Sequence, residues 1–376
     1  TDAAKSIADS IRVLDAGKRI RIPRPAAWRG VGLAERLNAS KDKTEALIDL
    51  MLGADEVGAA GIVRVRDVKK RPVRAGILTR IPAIDRLTNG LHPGLIVLTG
   101  TPGAGKSTFV SQLLLECVDQ HVKSFVFSGE LSSANWLDWF VLQAAGNRYS
   151  EPYEVPKTGY IYYHVDDDVA LIIKDWANDY LYLYDNESAP PAIDRIIQIA
   201  DNLVSTEDVK VVVIDNLMSI DGDPAVKDFY RQQADIVKRL KAFSRATNTV
   251  VILVAHPKKV DGAELSDESV AGSREIINWA DYAFALARVP GSRKDPKSKD
   301  YVDHDTDIKI LKNRSTGAGI GKKIALHFDF RDRRFRGENQ QPHCYGWQDM
   351  NQQTIIEEAP MIMPVGTLPF PDGGNN

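Results

Sequence analysis

Gly100-Thr101-Pro102-Gly103-Ala104-Gly105-Lys106-Ser107 fits the pattern G-x-x-x-x-G-K-[ST]. The apolar run Leu95-Ile96-Val97-Leu98 before it predicts a buried strand, and residues 108–120 after it predict an amphipathic helix. A loop in that setting turns successive backbone N–H groups inward and adds a helix N-terminus, so it holds phosphates with few side chains. Lys106 is expected to reach the β- and γ-phosphates of ATP, and the Ser107 hydroxyl to sit on Mg²⁺. The rest of the stretch, with Thr108, forms the cradle. A glycine-rich turn that merely joins strand to helix is the competing reading.

Outward from this loop, 376 residues leave room for one large α/β domain with appendages. A net charge of −3 gives no global nucleic-acid footprint. Any DNA contact is therefore local, because phosphate binding needs a concentrated cationic surface rather than a basic average. Cys117 and Cys344 are far apart, which excludes a four-cysteine zinc site and fits a reducing compartment. No apolar stretch approaches membrane-spanning length and the first residues carry no signal-peptide pattern, so a cytoplasmic protein without a membrane partner is expected. The chain begins at Thr1 without a methionine and reads as a processed or truncated piece.

Residues 1–76 differ from the rest of the chain. Ile20-Arg21-Ile22-Pro23-Arg24-Pro25 is a strand-like basic run broken by prolines, whereas residues 33–37 and 43–52 carry apolar residues at helical spacing. This predicts a small, mainly helical appendage and a charged linker over 64–74. It reads as a solvated tether or as a helix that docks on a neighbouring subunit.

The large domain, 77–336, opens with Thr79-Arg80-Ile81-Pro82-Ala83-Ile84-Asp85-Arg86-Leu87, running into Gly90-Leu91 and Gly94-Leu95. With the phosphate loop, this opening resembles the RecA-like hexameric replicative DNA helicases of the DnaB and Twinkle kind. The resemblance implies a RecA-like P-loop ATPase of α/β class, with a mostly parallel central sheet and helices on both faces.

Further motifs come in order. Ser124-Phe125-Val126-Phe127 predicts a strand ending in Ser128-Gly129-Glu130. A carboxylate there can orient the water that attacks a γ-phosphate. Glu130 matches the helicases' catalytic glutamate, although Gly129 stands where the family has Leu. Residues 136–145 predict a helix; residues 149–163, rich in Tyr, Pro and Gly, suggest either base stacking or, more commonly, packing of a loop. Val211-Val212-Val213-Ile214-Asp215, about 110 residues beyond the phosphate loop, predicts a central strand whose carboxylate serves the Mg²⁺ shell.

Residues 225–247 predict a long helix with Phe229, Ile236, Leu240 and Phe243 on one face and Lys238, Arg239, Lys241 and Arg245 mainly elsewhere on the surface. The resemblance makes residues 221–227 a loop facing a central channel. Val250-Val251-Ile252-Leu253-Val254-Ala255 predicts another central strand, ending at His256, which in these helicases senses the γ-phosphate. Lys258, Lys259, Ser273 and Arg274 fall in the stretch that resembles the family's loop for single-stranded DNA.

Residues 290–305 predict a charged, mobile excursion. Lys312-Asn313-Arg314-Ser315-Thr316-Gly317 resembles the element by which an arginine finger and its lysine reach the neighbouring subunit's γ-phosphate. Arg288 and Phe330 are candidates to sandwich the base. Residues 337–376, rich in Gln, Asn, Pro and Gly, predict a loosely ordered tail.

The resemblance implies a homo-hexameric ring that unwinds the replication fork 5′ to 3′ on single-stranded DNA, served by a primase or helicase loader. Two other readings stay open. One is a RecA- or RadA-like strand-remodelling ATPase, against which Lys312, Arg314 and the missing four-cysteine motif speak. The other is a nucleotide-dependent protein-assembly switch.

Overall fold

A computed structural model describes residues 76–222, 226, 228–256, 274–289 and 303–348, together with 21–23, 54–56 and 65. Two compact units divide between Arg74 and Ala75. In the first, β1 (Arg21–Pro23) pairs antiparallel with β2 (Ala54–Glu56). The helices expected at 33–37 and 43–52 lie outside the described residues.

In the second unit, α1 (Pro82–Thr88) takes proline at its first turn and stops at Asn89 in the left-handed conformation. After it come β3 (Gly94–Gly100), α2 (Lys106–Asp119), β4 (Ser124–Ser128) and α3 (Ser133–Tyr149). Then follow the hairpin β5 (Ser150–Glu154) and β6 (Ile161–Val165), α4 (Asp167–Ala177), β7 (Leu181–Leu183) and α5 (Ile193–Glu207). The remainder is β8 (Val211–Asp215), α6 (Phe229–Thr247), β9 (Val250–Val254), α7 (Arg274–Trp279) and strands β10 (Tyr282–Arg288), β11 (Thr306–Asn313), β12 (Lys323–Asp329) and β13 (Arg334–Gly337).

Nine strands form one sheet in the order β13-β12-β11-β10-β3-β9-β8-β4-β7. From β10 to β7 all neighbours are parallel, and β11, β12 and β13 add an antiparallel flank. The central strands β3, β4, β8 and β9 are buried along their whole length, as continuous apolar runs in a parallel sheet require. Alternation along β3 splits the core in two. Ile96 and Leu98 join Phe109, Leu114 and Phe140 of α2 and α3, whereas Leu95 and Val97 join Ile196, Val237, Leu240 and Ile276 of α5, α6 and α7. Helices therefore cover both faces, the layering expected of a RecA-like domain.

Four local expectations change. Residues 150–165 are a hairpin rather than a loop, with Tyr153 and Tyr162 paired across the strands at 4.9 Å between ring centroids. Lys241, expected at the surface, is buried, because Asp281 supplies a carboxylate that also accepts from the Leu95 N–H at 2.8 Å. Phe229 stays exposed in the first turn of α6 and meets Tyr230 edge to face.

The fourth is the tail. The packed domain runs on to Gln348, with Tyr345 and Trp347 buried, Trp347 Nε1 donating to the Ala144 carbonyl (3.1 Å) and the Tyr345 hydroxyl donating to Glu116 (2.7 Å). Two aromatic side chains override the polar composition around them. At β13, Gln112 of α2 pairs with both backbone groups of Phe335, accepting from its N–H at 2.7 Å and donating to its carbonyl at 2.9 Å. Gln143 of α3 likewise donates to the Arg333 carbonyl at 2.8 Å.

Candidate active site

The loops after β3, β4, β8 and β9 meet at the C-terminal ends of the parallel strands, where open α/β sheets bind ligands. A cavity of about 630 Å³ lies there, lined by Gly103, Ala104, Gly105, Lys106, Ser107 and Thr108 and by Glu130, Asp215 and His256. Gly100 leaves β3 so close to β10 that a Cβ would sit 2.0 Å from the Leu286 carbonyl oxygen, and Gly105 takes φ 89° to start α2. Gly100, Thr101 and Pro102 do not line the cavity, whereas residues 103–108 do.

Lys106 Nζ donates to the carbonyls of Gly100 (3.0 Å) and Thr101 (3.1 Å). Burial pulls its pKa down, and Asp215 and Glu130 push it back up. Asp215 is buried at the end of β8 beside the Ser107 hydroxyl, and desolvation raises its pKa while the Ser107 bond lowers it. Asp215 Oδ1 is buried with no protein partner. An orphaned carboxylate oxygen beside a hydroxyl suits a hydrated Mg²⁺, which keeps several waters and takes few protein ligands. Among the described residues no group of three or more His, Cys, Asp or Glu forms a cation cage.

Glu130 and His256 face each other from the ends of β4 and β9, with His256 Nε2 3.3 Å from Glu130 Oε1. Between and beneath them lies Asn216, whose Nδ2 contacts Glu130 Oε1 and stands 3.0 Å from His256 Nε2. Gly129 explains why Leu is absent before Glu130. A Cβ there would sit 2.1 Å from Ser219 Cβ, so only glycine lets the turn Leu217–Ser219 pack against β4.

Arg288 and Phe330 both line the cavity. So do Trp139, which carries the Arg333 guanidinium over its ring at 4.7 Å, and Asp305. Asp305, expected in a mobile excursion, is fixed by accepting from the Phe328 N–H at 3.0 Å. Sequence reasoning missed Asn216, Trp139 and Asp305. Of the three only Asn216 carries a local signal, its place next to Asp215.

Lys312 and Arg314 do not enter this cavity. Lys312 Nζ donates to the carbonyls of Ile277 and Asn278 at 2.8 Å each, closing the C-terminal end of α7. Arg314 is half-exposed, with Asn278 O at 3.3 Å and Asp281 Oδ1 at 3.6 Å. Lys258, Lys259 and Ser273 lie outside the described residues, and Arg274 starts α7.

A family model described as an AAA domain matches residues 66–262, more than half of the chain. The chain is 24% identical over 218 residues to the Twinkle homolog protein, chloroplastic/mitochondrial, of Arabidopsis thaliana, an alignment covering 57% of this chain and 30% of that protein. It thus spans less than a third of the length of that curated relative. Among solved structures, an isolated ATPase domain matches with a TM-score of 0.56 and 15% identity, over 80% of this chain and 100% of that one. A DnaB-like replicative helicase, described with its interactions with primase, matches with a TM-score of 0.57 and 15% identity, over 81% of this chain and 73% of that one. At that identity the likeness is one of fold.

Proposed function

Since the chain belongs to the AAA-domain family and has the fold of DnaB-like helicase ATPase domains, we propose that it hydrolyses ATP to drive a ring along single-stranded DNA. The observation that carries the hydrolytic half is the meeting of Lys106, Ser107, Asp215, Glu130 and His256 around one cavity from four separate loops. Triphosphate oxygens offer Lys106 better acceptors than the two loop carbonyls it now uses, in a site where burial has already weakened its hydration. Mg²⁺ held by Ser107 and, through water, by Asp215 would neutralise charge between the β- and γ-phosphates. Glu130 orients the attacking water and His256 registers the γ-phosphate. Arg288, Phe330 and Trp139 offer flat surfaces for the base.

The translocating half rests on the DnaB-like fold and on Arg314. Outside its own chain's cavity and half-exposed, Arg314 suits the task of completing a neighbour's site in trans. We read Lys312 as its support. Lys258, Lys259, Ser273 and Arg274 are the proposed grip on single-stranded DNA, 5′ to 3′ polarity follows the family resemblance, and a homo-hexamer with a primase or loader is the proposed assembly.

The deciding experiment is the ATPase rate with and without single-stranded DNA, for wild type, Arg314→Ala and mixtures of the two. Stimulation by DNA, loss of rate in Arg314→Ala and disproportionate poisoning by a minority of variant subunits support the ring. A fully active Arg314→Ala protein indifferent to DNA would favour a protein-assembly switch instead.

A further inference from the structure

Asn216 follows Asp215 and is 2% exposed, although the two groups it touches, Glu130 and His256, open onto the cavity. A buried carboxamide must spend both of its ends, and which end is which follows from its partners. The Oδ1 end accepts from the Met218 backbone N–H at 2.9 Å and lies 3.3 Å from Ser219 Oγ. A backbone N–H is a donor under all conditions, so this end is the oxygen. The NH₂ end therefore faces Glu130 and His256, and an NH₂ group only donates.

We infer that Asn216 is a positioning residue that gives one hydrogen to Glu130 Oε1 and the other to His256 Nε2, thereby holding the neutral histidine as its Nδ1–H tautomer. Nε2 also stands 3.3 Å from Glu130 Oε1, a longer contact than its 3.0 Å to Asn216; with the shorter one made, Nε2 accepts and carries no proton, so the neutral ring's only donor is Nδ1–H. The two functional side chains are thus fastened to one rigid group, and that group is fastened to the turn Leu217–Ser219. Gly129 makes the arrangement possible, because a Cβ at that position would push against Ser219 and lift the turn away from Glu130. The inference rests on the ATPase reading for its catalytic meaning but not for the tautomer itself.

Two measurements test it. In protein labelled with ¹⁵N at histidine, long-range ¹H–¹⁵N spectra above the ring's titration should find the His256 resonances, identified by their loss in His256→Gln, in the Nδ1–H pattern. Asn216→Leu, which keeps much of the shape but has no N–H to give, leaves Nε2 free to carry a proton toward Glu130 Oε1, 3.3 Å away, and should convert them to the Nε2–H pattern. An Nε2–H ring in the wild type, which needs no variant to fold, overturns the inference. So does a tautomer that Asn216→Leu leaves unchanged.

In the second measurement, Asn216→Leu should lower kcat for ATP on the order of 10- to 100-fold while KM stays within about threefold. In a His256→Ala background the same change should cost distinctly less, since half of its effect is already gone. Equal losses in both backgrounds would mean that Asn216 does not act through His256, which overturns the inference. A wild type without ATPase activity would sink the functional proposal, and the tautomer would still decide this one.

Discussion

Glu130 stands where it does because the residue before it has no side chain. The packing of Ser219 against Gly129 gives a direct expectation. Gly129→Ala should destabilise the domain by about 1–3 kcal/mol, the usual cost of overpacking, and Ser219→Gly in the same chain should recover part of that loss in urea denaturation. Recovery would tie the cost to this one contact. Lys106→Ala should weaken ATP binding in a nucleotide-displacement assay. Glu130→Gln should instead bind ATP as before and lose on the order of 100-fold in kcat, because a carboxamide can fill the carboxylate's place but cannot orient water as a base. At this scale the sequence was most open to reading. Lys106, Ser107, Glu130, Asp215 and His256 each sit at the end of an apolar run, and a parallel sheet brings such ends together. Asn216 stayed hidden because its work is done by the direction of its two hydrogen-bonding ends, which spacing does not record.

The segment after β13 is the element that composition concealed. Its anchor, Trp347, bonds to Ala144 across 203 positions of sequence, a separation at which local pattern carries no information. A chain ended at Gly337 should lose several kcal/mol, and Trp347→Ala alone about 3–5 kcal/mol. The same segment sets a pH dependence. Glu116 is pushed up to about 7, chiefly by burial, with Tyr345, His343, Arg80 and Arg334 pulling the other way. Between about pH 4.5, its ordinary value, and about pH 7 the folded chain thus holds a proton that the unfolded chain has released. This contribution falls as pH rises through that window. Compared with Glu116→Gln, whose carboxamide still accepts from Tyr345, the wild type should lose up to about 3 kcal/mol relative stability from pH 4.5 to pH 7.5. A flat difference between the two curves would refute it. In α7, Lys312→Ala should loosen the helix end that its ammonium now closes and raise amide exchange at Ile277 and Asn278.

For the whole molecule, the informative contrast is between Arg314 and the residues around it. Its contacts within the chain are long and half in solvent, so Arg314→Ala should change the stability of the isolated chain by no more than about 0.5 kcal/mol. Any large loss of DNA-stimulated ATPase in that variant then belongs to contacts between chains. The α/β layering was legible from the alternation of apolar runs and helical spacings, but the nine-stranded order was not, since strands such as β4 and β7 neighbour one another only in space. The hairpin of residues 150–165 escaped because Pro152 and the glycine at 159 read as loop residues, while the cross-strand tyrosines that hold it are a property of register. Gln112, which satisfies both backbone groups of Phe335 in β13, and Gln143, which satisfies the Arg333 carbonyl just before that strand, carry one more consequence. An unprotected outer strand invites another copy to extend the sheet, the route to fibres and aggregates. Two glutamine side chains occupy part of that seam as an added strand would, and at the opposite border β7 offers only three residues. Strand templating is therefore discouraged at both borders of the nine-stranded sheet, so a copy of this chain would find little there to extend.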